Sequence, residues 1–181
     1  NIMTTSIHTF MSCELFTGNK EIKLVDIMSG EIYKIPDEDI ESLMAWRDMV
    51  DRSFSRDLAL DAKFSVSSSR GWGYRAKAMQ GDNRAYWATS DDEFSGDVTL
   101  QWDDTVVVKY IVIEEHIALG QRVREYAIEA QVSEDWQTIA SGTTIGYKRI
   151  IPLENELATS ELRIRFLDSR GPLAISRIAV Y

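Results

Sequence analysis

Tyr126-Ala127-Ile128-Glu129-Ala130-Gln131-Val132 alternates without a fault. Tyr126, Ile128, Ala130 and Val132 fall on one side, and Glu125, Ala127, Glu129 and Gln131 on the other. A period of two marks a half-buried antiparallel strand, because successive side chains point to opposite faces. Before it, a strand ends in Glu114-Glu115-His116 and a loop runs Ile117-Ala118-Leu119-Gly120-Gln121-Arg122-Val123. After it come a turn at Glu134-Asp135, then Trp136, then Gly142-Thr143-Thr144-Ile145-Gly146-Tyr147-Lys148-Arg149. Polar and aromatic residues gather in these loops, where rigid β-scaffolds carry their binding groups.

Outward from this stretch the same pattern recurs. Val98, Leu100 and Trp102 alternate with Asp97, Thr99 and Gln101; Leu162, Ile164 and Phe166 alternate again; Ile175, Ile178, Val180 and Tyr181 close the chain. Residues 106–113 are apolar on both faces and read as a central, doubly covered strand, entered by a turn at Asp103-Asp104. Residues 65–73 form a Ser- and Gly-rich loop carrying Arg70 and Trp72, and 76–87 a structured loop. Many short strands separated by turn signals predict a β-sandwich or jelly roll.

Ahead of it, a helix starts at Pro36 or Asp37, with Asp37, Glu38 and Asp39 where the helix dipole favours negative charge. Ile40, Leu43, Trp46, Val50 and Phe54 recur at helical spacing, so Trp46 reads as a core side chain and the helix ends near Phe54. Residues 22–27 and 32–35 pair as a hairpin across Ser29-Gly30. Ile7, Phe10, Leu15 and Phe16 suggest strand without a clean period, and Gly18-Asn19 is a turn signal. The expected organisation is an appendage of strands plus helix over 1–58 and a sandwich over 59–181.

Charge excludes some partners. The chain has 29 acidic and 20 basic residues, a net −9, and nucleic acid or an anionic membrane needs a basic patch. Cys13 stands alone, so no internal disulfide or cysteine-rich zinc site forms. His8 and His116 are too few for a transition-metal site without a second cysteine. No apolar run is long enough to span a membrane, and no signal peptide is visible. The first residue is Asn1, which reads as a processed, truncated or fragmentary chain. Hydrolysis by this chain alone is not expected. A retaining glycosidase needs two carboxylates about 5 Å apart, whereas Glu114 and Glu115 are adjacent and point to opposite faces.

Residues 64–181 resemble the discoidin-like jelly roll, the fold of factor V/VIII C-type domains and family-32 carbohydrate-binding modules. The marks are Gly81-Asp82 leading to Tyr86-Trp87, the strand Ile111-Val112-Ile113, Tyr126-Ala127-Ile128-Glu129 before Trp136, and the closing residues 175–181. Residues 117–123 and Gly142-Thr143-Thr144-Ile145-Gly146-Tyr147-Lys148-Arg149-Ile150 are similar to the C-terminal module of bacterial α-L-fucosidases of glycoside hydrolase family 29. Residues 21–59 loosely resemble what precedes that module, although the usual Asn and Pro of the strand end are absent. The family's catalytic groups lie on an eight-stranded barrel too large for 181 residues beside this module.

The resemblance implies a non-catalytic carbohydrate-binding or docking module of an α-L-fucosidase-like enzyme, periplasmic or extracellular. Its partners would be a fucose- or galactose-terminated glycan and a catalytic barrel. The alternative is a discoidin-like adhesion module recognising protein or lipid. Sugar sites in related modules lie on loops at one end of the jelly roll. The matching loops supply Glu115, His116, Gln121, Arg122, Tyr147, Lys148 and Arg149, with Trp72 and Arg70 on a neighbouring loop. These residues either contact a sugar or form an internal network, or face the barrel; Asp168 and Arg170 are expected to pair. The structural calcium of many such modules is expected to be lost, because its usual acidic and hydroxyl ligands are replaced by Gln80, Ala85 and Arg177, with Arg177 bridging to Asp82.

Overall fold

The computed structural model describes the backbone of 11–16, 21–26, 29–30 and 32–33, and residues 36–81, 85–133 and 135–181 in full. Ile7, Phe10, the Gly18-Asn19 turn, Asp82 and Glu134 lie outside the described residues. The chain forms two compact units, 1–53 and 54–181. Residues 54–58, which the sequence reading placed in the appendage, belong to the second unit. There Phe54 packs edge-on against Tyr181 at 4.9 Å and against Tyr110 at 5.1 Å.

Among its described residues the first unit holds three strands and one helix. Strands β1 (Met11–Phe16), β2 (Glu21–Asp26) and β3 (Ile32–Tyr33) form an antiparallel sheet in that order. The expected hairpin is present, with Leu24 opposite Tyr33 and Val25 opposite Ile32. Helix α1 (Asp37–Ser53) begins where the acidic first turn predicts. Its apolar stripe differs from expectation: no α1 side chain is buried, and Trp46 is 64% exposed. The periodicity marks an apolar face but does not say what covers it.

The second unit is an antiparallel β-sandwich. Its strands are β4 (Lys63–Val66), β5 (Trp87–Ala88), β6 (Gly96–Glu115), β7 (Val123–Val132), β8 (Asp135–Gly142), β9 (Arg149–Ser169) and β10 (Ala174–Val180). The order β5-β10-β6-β9-β7-β8, with β4 also on β6, is one continuous hydrogen-bonded path. Strands β6 and β9 pair along most of their lengths but take different neighbours at their two halves. The first half of β6 pairs β4 through Lys63–Gln101 and Val66–Val98, and its second half pairs β10 through Ile113–Ile178 and Ile111–Val180. The two halves thus belong to two layers.

The expected turn at Asp103-Asp104 is instead an irregularity inside β6, between Gln101 and Val106. Bulges bend a strand without ending it. Residues 106–110 are not doubly covered either, for Val107 is 55% exposed; Ile111-Val112-Ile113 alone is buried on both sides.

The core is what the period-two segments predict. Val98, Leu100, Tyr126, Ile128, Leu162, Ile164 and Phe166 from one layer meet Ile111, Ile113, Ile175, Ile178 and Val180 from the other. Each fully buried side chain of this size contributes about 1.5–3 kcal/mol of transfer free energy. Gly142 has to be glycine, because a Cβ there would lie 2.6 Å from the Tyr126 hydroxyl.

On the outer face, Glu129 is buried beneath two arginines. Arg163 Nε donates to its Oε2 at 2.7 Å, Arg165 Nη1 to its Oε1 at 3.3 Å, and Arg163 lies over Trp136 at 4.3 Å. Burial pushes the Glu129 carboxyl up, but the arginine hydrogen bonds outweigh it and hold the group below the usual carboxylate range. A carboxyl whose folded pKa lies below its unfolded value stabilises above the unfolded pKa. That stability is lost as pH falls through the folded pKa. Glu129→Gln is therefore expected to cost about 1 kcal/mol at pH 7, discounted because both arginines are partly exposed. It should cost almost nothing at pH 2. Urea unfolding at the two pH values checks this, and an equal loss at both would remove the ionic account.

Candidate functional site

The bend in β6 brings its first and last residues to one end of the sandwich. There the loops 67–75, 89–95, 116–122, 143–148 and 170–173 converge. Arg70 N–H donates to Ala88 O at 2.8 Å, His116 N–H to Ala174 O at 2.8 Å, and Arg170 N–H to Arg122 O at 2.9 Å.

Glu115 ties two of these loops together. It is 3% exposed. Its Oε1 accepts from Arg122 N–H at 2.7 Å and Val123 N–H at 2.9 Å, and its Oε2 accepts from Gly146 N–H at 2.7 Å. Both oxygens face backbone, so Glu115 shapes the end of the sandwich and is not free for a ligand. Glu114 points the other way, as alternation requires, to Lys148 Nζ at 3.1 Å and Arg177 Nη1 at 3.8 Å.

Three rings form a row on the loops so fixed. Tyr86 stacks on His116 at 4.2 Å with 17° between planes, and Tyr74 meets Tyr86 at 5.2 Å. Arg70 stands 5.8 Å from the Tyr74 ring and pairs with Asp91. Burial pushes the Tyr86 hydroxyl pKa up; a hydrogen bond with Tyr74 adds to this, while the charges of Arg70 and Arg122 oppose it. Trp72 projects from the loop tip, 83% exposed, with Arg75 over its ring at 3.9 Å. Gly71 and Gly73 on either side have open space around them.

Of the residues anticipated from sequence, Arg70, Trp72, His116 and Arg122 come together here. Arg122 is partly occupied, since Nη1 donates to Pro172 O at 2.6 Å and Nε to Leu119 O at 3.4 Å. Gln121 is exposed on the same loop. Tyr147, Lys148 and Arg149 are exposed at the same end. Among the described residues, no hydrogen bond or ring contact joins them to the row. The anticipated Asp168–Arg170 pair is absent: Asp168 pairs with Arg124 at 3.1 Å.

Tyr74 and Tyr86 escaped the sequence reading. Tyr86 precedes Trp87, Ala88 and Thr89, which are buried in succession, so no alternation signals its direction. A shallow groove of about 420 Å³ lined by Ser67, Ser68, Glu93, Asp97 and Arg165 lies nearby. Its polar groups already bond one another or their neighbours: Ser68 to Glu93, Asp97 N–H to Ser67 Oγ, Arg165 to Glu129.

The Gln80 amide donates to Ala62 O at 2.8 Å and Ala59 O at 3.1 Å. Arg177 Nη2 reaches Asp57 Oδ2 at 3.3 Å and donates to the Tyr181 hydroxyl at 3.1 Å. Glu114 lies 3.8 Å from Arg177 Nη1 as well, and the anticipated bridge to Asp82 falls outside the described residues. Among the described residues, no three His, Cys, Asp or Glu side chains gather as a metal site. No helix among them is long and apolar enough to cross a membrane.

No family model matches the chain. It is similar to α-L-fucosidase 1 of Arabidopsis thaliana, 29% identical over 91% of this chain and 34% of the relative. A GH29 fucosidase of Ruminococcus gnavus, solved in complex with fucose, superposes with a TM-score of 0.73 at 29% identity, over 82% of this chain and 31% of that one. A chitosan-binding module from a Paenibacillus chitosanase/glucanase shares the fold, with a TM-score of 0.62 at 16% identity. The match takes in 97% of that module and 69% of this chain. The chain spans about a third of the length of the fucosidases it matches.

Proposed function

We propose that the 54–181 unit is a non-catalytic carbohydrate-binding module of an α-L-fucosidase-like glycoside hydrolase acting on fucosylated glycans. The observation that carries this is the Tyr74–Tyr86–His116 row beside Arg70, Arg122 and the exposed Trp72. A sugar ring has an apolar C–H face and a rim of hydroxyls. Trp72 offers a flat ring to the first, and the phenols, imidazole and guanidinium groups offer hydrogen bonds to the second. Gln121, Tyr147, Lys148 and Arg149 form the outer rim of the proposed site. Similarity to fucosidases over one third of their length supports a division of labour in which the chemistry lies elsewhere. A location outside the cytoplasm goes with this reading. So does a loop that does without calcium, a reading supported by the Gln80 amide, which donates to two backbone carbonyls, and by the positive charge of Arg177.

The experiment is saturation-transfer NMR of the chain with methyl α-L-fucoside and methyl β-D-galactoside, repeated on Tyr86→Leu. Signal from at least one sugar that falls about tenfold in the variant is expected, since a stacked or hydrogen-bonding aromatic at a site centre carries much of the affinity. A signal unchanged by Tyr86→Leu would place the sugar elsewhere. No signal with any sugar favours a second reading, docking onto a catalytic domain. The exposed Leu43, Trp46, Met49 and Val50 on α1 support that reading. The adhesion alternative has exposed apolar tips at Trp72, Ile117 and Leu119 in its favour and the net charge of −9 against it.

A further inference from the structure

We infer that the glycan taken at this end of the sandwich carries an acidic group, a sulfate ester or a carboxylate, beside the sugar held by the aromatic row. The inference rests on the carbohydrate-binding reading and specifies its ligand class.

In the 54–181 unit, Arg56, Lys63, Lys109, Arg163, Arg165 and Arg177 are ion-paired away from the site. At the site end, Arg70, Arg124 and Lys148 are paired too. Among the described residues, Arg75, Lys77, Arg122, Arg149 and Arg170 have no carboxylate within ion-pair distance. Arg75, Arg122, Arg149 and Arg170 stand on the loops, or the strand start, that converge at the site end, and Lys77 lies on the short helix 76–79 next to Arg75. On a chain with 29 acids and 20 bases, cations left unpaired in one place are a local departure from the overall balance.

What these cations touch sharpens the point. Arg122 donates to the Pro172 and Leu119 carbonyls, which take two of its five N–H groups and orient it but do not cancel its charge. Arg75 lies over the Trp72 ring, a contact that also leaves the charge in place. Of the nearby acids Asp91 is taken by Arg70, while Glu93, bonded to Ser68, Glu115, bonded to three backbone N–H groups, and Asp92 in the exposed turn have no cation within ion-pair distance among the described residues. A guanidinium held by carbonyls, with its charge uncompensated, is matched by a planar or tetrahedral oxyanion through paired N–H groups. The distant negative charge of the protein repels an anion, but at 0.15 M salt it is screened beyond about 8 Å. The contact at the site is not.

The test uses matched pairs of probes titrated into the full chain at 150 mM salt, followed by NMR. Methyl α-L-fucoside is compared with its 3-O-sulfate, and methyl β-D-galactoside with methyl β-D-galacturonoside. At least one anion is expected to bind about tenfold more tightly than its neutral twin, and which pair shows the gain separates sulfate from carboxylate. Arg75→Gln, at an exposed position, and Arg122→Gln should each reduce the ratio, with Arg122→Lys retaining more of it. Neutral sugars bound as well as both anions would overturn the inference and leave the binding reading intact. No binding by any of the four would overturn both. A preference unchanged in both glutamine variants would overturn the assignment to these cations.

Discussion

Glu115→Ala is expected to destabilise the chain by about 3–4 kcal/mol, because three backbone N–H groups lose their shared acceptor and each left without a partner costs about 1 kcal/mol or more. The donors belong to Arg122, Val123 and Gly146, on two loops that nothing else among the described residues joins so directly. Glu115→Gln should cost about 2 kcal/mol, since one oxygen still accepts while its amide N–H₂ faces a backbone donor. Urea unfolding measures both, and sugar binding should fail alongside, because the loop bearing His116 and Arg122 loses its anchor. A variant that kept its unfolding midpoint and lost only sugar binding would make Glu115 a ligand contact and refute the role given to it here.

The second large effect is at Trp87. Its side chain is fully buried against the core, 6.1 Å from the Phe166 ring, and Nε1–H donates to Ser68 O at 2.8 Å. Trp87→Ala removes a fully buried tryptophan side chain, and the cavity and lost transfer energy should cost about 3–5 kcal/mol. Trp87→Phe keeps most of the burial and loses the indole donor, at about 1–2 kcal/mol. The hydrogen bond to Ser68 reaches the loop that carries Arg70, Trp72 and Tyr74, and Tyr86 is the next residue along the chain. Trp87→Phe should therefore weaken sugar binding more than its small stability loss accounts for. Alanine costing less than 1 kcal/mol would mean that the position relaxes freely and positions nothing.

The fold was legible where burial imposes a period. Tyr126, Ile128 and Ala130 turn inward, as do Val98, Leu100 and Trp102, because a one-residue slip would bury their charged neighbours instead. The hairpin around Ser29-Gly30 and the acidic start of α1 are local signals and were read for the same reason. The Asp103-Asp104 bend was not legible, since an exposed acidic pair has the same composition in a turn and in a bulge. Trp46 misled because helical spacing identifies an apolar face without its cover.

At the site, loop residues carry no period, so their directions depend on tertiary contacts. Nothing local distinguishes a Glu115 that faces three distant N–H groups from one that faces solvent. The choice of Arg124 over Arg170 by Asp168 follows from the register of β7 on β9, where Glu125 lies opposite Asp168. Tyr74 and Tyr86 were the missed members of the site. Their role emerges only when two loops and the end of β6 meet.

The central claim is that this end of the sandwich holds a sugar. The most direct measurement is amide chemical-shift mapping of the isotope-labelled chain titrated with methyl α-L-fucoside and methyl β-D-galactoside. Saturable shifts confined to residues 70–75, 86–87 and 116–122 are predicted. No saturable shift, or shifts centred on the groove of Ser67, Glu93 and Arg165, would contradict it.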